Sequence, residues 1–253
     1  MIIILGAIIG FVASFISTLL GGGSGLIAIP AFFYIVVHTY GMESAMQIAL
    51  ATTYAMSVCL SLIAVIKHYK NKNLNLFEIR YYIVYLIIGY IFGSFIVKHI
   101  DTVILKHIFS IILLLSGLWM IFHNDEKPVK KLPSFIIYPI TSICGVMSTL
   151  AASSTFVTVL FVKIGMDIKK AVANTSFCVL INASTGAILL TVGVNIDVPS
   201  TFGYISVPLL LSSIPFSIIG SLLAVKYLGV ISTKFLHFLF IVLMFASAVI
   251  MLL

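Results

Sequence analysis

Charge is what this chain has least of. Of its 253 residues only 8% are Asp, Glu, Lys or Arg, whereas 62% are hydrophobic, and the mean hydropathy is +1.26. A soluble domain carries about 25% charged residues. The scarcity excludes a soluble fold, leaves no room for a soluble catalytic domain, and marks a polytopic membrane protein. The seven acids are Glu43, Glu78, Asp101, Asp125, Glu126, Asp167 and Asp197. All fall in loops or at the ends of apolar runs, so no carboxylate stands mid-span to relay protons, as many proton-coupled carriers require. Cysteine is scarce too. Cys59, Cys144 and Cys178 lie in separate apolar segments with no metal-ligand spacing and no pairing framework, and are read as small core residues. H-E-x-x-H, paired aspartates and a serine with a mid-span histidine are all missing. The chain is therefore expected not to be an enzyme and to need no metal or cofactor. The net charge of +7 comes from lysines scattered over short loops, so it predicts orientation in lipid and no nucleic-acid partner. Residues 1–20 lack a basic n-region and an A-x-A site and are not read as a cleavable signal.

What the chain has in abundance is apolar runs long enough to cross about 30 Å of hydrocarbon. Spans are predicted over residues 2–20, 45–66, 79–97 and 102–122, with a shorter arm over 26–38. Between the first two arms stands Gly21-Gly22-Gly23-Ser24-Gly25. Glycine costs a helix interior about 1 kcal/mol against alanine. In lipid, such a break is tolerated only where it is buried in protein or lines a wet cavity. A helix restarting there aims unpaired N–H groups and a positive dipole end at its surroundings, and such backbone binds anions. A tight turn between two ordinary helices is the plainer reading of the same residues.

The second part of the chain repeats the first. Arms are predicted over 134–150 and 156–162, with Ala151-Ala152-Ser153-Ser154-Thr155 at their break. Ser17-Thr18-Leu19 matches Ser148-Thr149-Leu150, and Gly41-Met42-Glu43 matches Gly165-Met166-Asp167. Thr52-Thr53 matches Asn174-Thr175, and Gly93-Ser94 matches Gly220-Ser221. The expected organisation is a repeat over 1–122, a polar linker over 123–133 and a second repeat over 134–253. If lysine-rich loops face the cytoplasm, twelve of the fourteen basic residues lie inside. Both termini then lie outside, and the linker is cytoplasmic. The first pair of arms begins and ends outside, the second begins and ends inside. The fold class expected is thus an all-α integral membrane protein with two inverted-topology repeats, each a broken-helix hairpin followed by three transmembrane helices. Inverted repeats with discontinuous helices near the midplane form a transporter architecture.

Candidate substrate-binding residues follow from polarity at depth. Gly21, Gly22, Gly23, Ser24 and Gly25 offer backbone donors at one break, and Ser153, Ser154 and Thr155 offer hydroxyls at the other. Thr52, Thr53, Asn174, Thr175 and Ser176 lie in apolar helices and need partners, either a neighbouring helix or a hydrated path. His107 and His237 stand near span ends and read as interfacial anchors. Lys163, Lys169 and Lys170 flank the second arms and read as topology signals. No basic residue falls in the middle of a span, so a midplane anion would draw its positive potential from helix N-termini.

The glycine-rich break with Pro30 after it, the Thr52-Thr53 segment with its counterpart, and the Gly-Ser pair of each penultimate span resemble the sulfite exporter TauE/SafE family. The resemblance covers almost the whole chain. It implies movement of a small anion, such as sulfite, a sulfonate or a related organic anion, across the cell (inner) membrane. The second break departs from the pattern, being Ala-Ala-Ser-Ser-Thr with no proline after it, so its counterpart site would be lined by hydroxyls. The expected partners are a small anionic solute and membrane lipid, with homo-oligomer formation left open. An anion channel and a non-transporting membrane scaffold or assembly protein are the alternatives.

Overall fold

Backbone polar groups in hydrocarbon must be satisfied within the chain, so apolar runs of this length close into helices. The computed structural model describes residues 2–20, 23–122, 133–227 and 233–253. The helices are α1 (Ile2–Leu20), α2 (Gly25–Tyr40), α3 (Ala45–Lys70), α4 (Leu76–His99) and α5 (Thr102–Phe122), then α6 (Ser134–Leu150), α7 (Thr155–Lys163), α8 (Ile168–Leu189), α9 (Val207–Val225) and α10 (Thr233–Leu252). Seven are long and apolar enough to cross a membrane; α2, α6 and α7 are shorter. The expected all-α membrane class holds, with one small addition. Before α9 the chain makes a two-residue hairpin of β1 (Thr201–Phe202) and β2 (Ile205–Ser206), pairing Thr201 with Ser206. Residues 123–132, most of the expected linker, lie outside the described residues, as do Gly21 and Gly22.

Packing follows one pattern twice. Helix α1 lies along α9, and α6 lies along α4. Helix α3 packs on α8, and α5 packs on α10. Adding five to each helix number maps these pairs onto one another. Small residues let the paired backbones approach, as they do in membrane helix pairs generally. A side chain at Gly10 would meet the Ser213 backbone, and one at Gly220 would stand 2.5 Å from the Phe11 carbonyl. Across the other pair, a side chain at Gly145 would stand 2.8 Å from the Leu86 carbonyl, and one at Gly89 would meet the Ser142 carbonyl. Ser217 donates to the Gly10 carbonyl at 3.0 Å, and Ser142 donates to the Tyr85 carbonyl at 2.9 Å. Gly6 and Gly10 in α1, and Gly89 and Gly93 in α4, each form a G-x-x-x-G step. Large side chains such as Phe92, Leu211 and Phe238 point outward, as a lipid-facing surface requires.

Contacts sort the loops onto two faces. Gln47 donates to the Ile100 carbonyl at 2.6 Å, and Lys98 donates to the Val192 carbonyl at 3.0 Å. These put the 41–44, 100–101 and 190–206 connections on one face. On the other, Asn75 and the start of α8 are joined, with Lys67, Lys70, Lys72, Lys169 and Lys170 close by in the chain. That second face is the lysine-rich one.

Candidate functional site: two helix breaks and a cavity

Helices α1 and α6 enter from opposite faces, and the chain breaks at the end of each. The two breaks meet. A side chain at Gly25 would stand 2.6 Å from the Ala152 carbonyl oxygen and 2.7 Å from the Ala152 Cβ. The restarts share one geometry. Ser24 and Ser154 are the N-cap residues of α2 and α7, and neither side chain caps its own helix. The Ser24 carbonyl accepts from Ala28 N–H at 3.0 Å, and the Ser154 carbonyl accepts from Thr158 N–H at 3.1 Å. Gly23 turns through φ +93°, a conformation that glycine adopts without steric cost. The second break achieves its turn at Ala152, with φ +42°. Two helix N-termini, each with the equivalent of about half a positive charge, therefore converge in the interior.

The other expected site residues divide into two groups. Ser24 Oγ lies 3.4 Å from Ser57 Oγ, and Ser153 Oγ lies 3.0 Å from Thr155 Oγ1. Thr158 donates to Thr175 Oγ1 at 3.2 Å, which ties the start of α7 to α8. These hydroxyls stay beside the breaks. Thr52 and Asn174 do not. Thr52 Oγ1 accepts from the backbone N–H of Ser206, the N-cap of α9, at 3.0 Å. Asn174 Oδ1 accepts from the backbone N–H of Asn75, the N-cap of α4, at 3.0 Å. Matched positions thus perform matched work at opposite faces, each holding the start of a helix in the other set of five. Thr53 and Ser176 return their hydroxyls to carbonyls of their own helices, Ala49 and Val172.

Tyr54 and Lys106 stand outside the expected site residues. Tyr54 is buried in α3 and donates its hydroxyl to the Thr149 carbonyl, at the C-terminal end of α6. Thr149 Oγ1 donates to Asn182 Oδ1 at 2.8 Å, so α3, α6 and α8 are tied together beside the second break. A buried tyrosine in an apolar helix needs a partner for its hydroxyl, and that signal was present in the sequence. Lys106 lies inside the predicted 102–122 span and is 8% exposed in the second turn of α5. A cavity of about 710 Å³ lies between α5, α6 and α7, with Tyr82 of α4 also on its wall. It runs from Trp119, Ser134 and Lys163 toward Met147 and Phe156, which flank the second break. None of the eleven expected site residues that the structure describes is among those lining it.

A family model described as sulfite exporter TauE/SafE matches residues 6–251. The chain belongs to the sulfite exporter TauE/SafE family. This TauE/SafE protein is similar to a probable membrane transporter protein of Methanocaldococcus jannaschii, with 28% identity over 91% of this chain and 88% of that one. It is also similar to two probable membrane transporter proteins of Haemophilus influenzae. One is 33% identical over 51% of this chain and 49% of its own length, the other 23% identical over 73% and 72%. No solved structure matches. The TauE/SafE match takes in both breaks, both loop tethers and the cavity, and the protein is a multi-pass membrane transporter.

Proposed function

We propose that this TauE/SafE protein carries a small anion, sulfite or a sulfonate in type, past the point where its two broken helices meet. The observation that carries the reading is the contact of Gly25 with Ala152, which brings the restarts of α2 and α7 together. Backbone N–H groups and the hydroxyls of Ser24, Ser153, Ser154 and Thr155 are the donors available there. The matched packing of α1–α5 and α6–α10 supports reading the chain as two inverted repeats about an axis in the membrane plane. The lysine-rich face is the cytoplasmic one on this reading, and both termini lie outside. Uptake of labelled sulfite and a panel of sulfonates into proteoliposomes tests the function. Saturation and counterflow are expected of a carrier; unsaturable flux would make it a channel, and no flux of any anion would leave a scaffold. For orientation, Lys70→Cys is expected to react with an impermeant thiol reagent only from inside and Asp197→Cys only from outside, and the reverse pattern overturns it.

A further inference from the structure

The two sets of helices are matched in sequence, but their packing differs where α2 meets α10. Helix α2 lies against α10. Ser247 donates to the Leu26 carbonyl there, and Tyr34 donates its hydroxyl to the Ile250 carbonyl at 2.8 Å. Counting from the restarts Ser24 and Ser154, Leu26 and Tyr34 stand where Phe156 and Ile164 stand in the second set. Counting from Thr102 and Thr233, which open α5 and α10, Ser247 and Ile250 stand where Ser116 and Trp119 stand. Phe156, Ile164, Ser116 and Trp119 border open space instead. All four line the 710 Å³ cavity. Along α7, Phe156, Val159, Leu160, Lys163 and Ile164 follow the i, i+3, i+4, i+7 spacing of one helix face, and that whole face borders the opening. Ser116 turns its hydroxyl back to the Ile112 carbonyl of its own helix at 2.6 Å, leaving unused the interhelical bond that Ser247 makes.

We infer that the cavity is the anion's passage to the lysine-rich face, and that the α2–α10 contact is the same passage, closed, toward the opposite face. The two contacts exchange in turn: α7 closes on α5 as α2 leaves α10. In the closed state of the cavity Ser116 donates to the Phe156 carbonyl, as Ser247 now does to that of Leu26. Lys163 lines the mouth of the cavity among the described residues. The inference rests on the transport reading above. It differs from a fixed, lipid-filled groove between α5 and α7, in which nothing would close.

Cys144 lines the cavity and supplies the probe. In a Cys59→Ala, Cys178→Ala background, two cysteine pairs are built separately and oxidised in proteoliposomes. Leu26→Cys with Ser247→Cys pins α2 to α10. Alkylation of Cys144, followed by peptide mass spectrometry, is expected to remain fast, while sulfite flux falls at least tenfold and dithiothreitol restores it. Ser116→Cys with Phe156→Cys is expected to cross-link as well, to slow Cys144 alkylation at least tenfold and to stop flux. If the 26/247 pair forms but the 116/156 pair never does in an equally stable protein, the groove is fixed and the inference fails. It fails too if pinning α2 to α10 leaves flux unchanged. Should both pairs form and switch Cys144 reactivity in a protein that moves no anion, the exchange stands and the transport reading falls.

Discussion

The two helix breaks solve one problem with different chemistry. Both must turn the chain inside the membrane and restart a helix. The first places glycine at the turn, and Gly23 takes φ +93°. Gly25 then gives up its side chain so that the other break can press against it. The second keeps side chains throughout and holds Ala152 at φ +42°. It is secured from outside instead, by Tyr54 on the Thr149 carbonyl and by the Thr149–Asn182 bond. The glycine break is thus permissive locally and demanding in space; the alanine–serine break is strained locally and braced by neighbours. A turn that glycine makes freely costs other residues about 1–2 kcal/mol.

The comparison breaks most visibly at Gly25. Gly25→Val puts atoms into the Ala152 backbone, which cannot move aside as a flexible side chain would. Flux is expected to vanish, and thermal unfolding in detergent should register a loss of about 1–3 kcal/mol, the usual cost of overpacking. Thr155→Ser, at the matching position of the second break, keeps the donor hydroxyl and should leave flux within a few-fold of wild type. Equal tolerance of the two changes would remove the distinction between the breaks. Next in size is Tyr54→Phe. It leaves the ring packed on Gly186 and removes only the hydroxyl from the Thr149 carbonyl. A stability loss of about 1–2 kcal/mol is expected, read from the midpoint of chemical denaturation, and no loss would mean that the second break does not depend on its brace. The smallest effect is expected from Ala152→Gly. Relief of the left-handed backbone should raise stability by up to about 1 kcal/mol, with flux within twofold of wild type. A fall in stability would show that the Ala152 methyl group, packed at Gly25, outweighs the backbone term.

Helix positions were legible in the sequence because lipid allows few alternatives to a helix. Most predicted ends fall within a few residues of the observed ones, such as 79–97 against Leu76–His99 and 156–162 against Thr155–Lys163. The breaks were legible for the opposite reason, since glycine and short polar runs are conspicuous in apolar sequence. The roles of Thr52 and Asn174 were not. Polarity at depth shows that a residue needs a partner, not which one, and here each partner is a backbone amide 154 or 99 residues away. The cavity was invisible because its walls are ordinary apolar residues. What marks it is the space left between α7 and α5, and unfilled space leaves no trace in composition.

The pairing of α1 with α9 also sets a schedule for assembly. Gly10 receives its hydrogen bond from Ser217, which lies 207 residues later in the chain. At roughly 5–20 residues per second, α1 waits about 10–40 s before its main partner emerges. During that time the small-residue face of α1, shaped to admit another backbone, has only lipid or the insertion machinery to cover it. A chain truncated before α9 should therefore leave α1 as bait for quality-control proteases, even though most of the helices are already in the membrane.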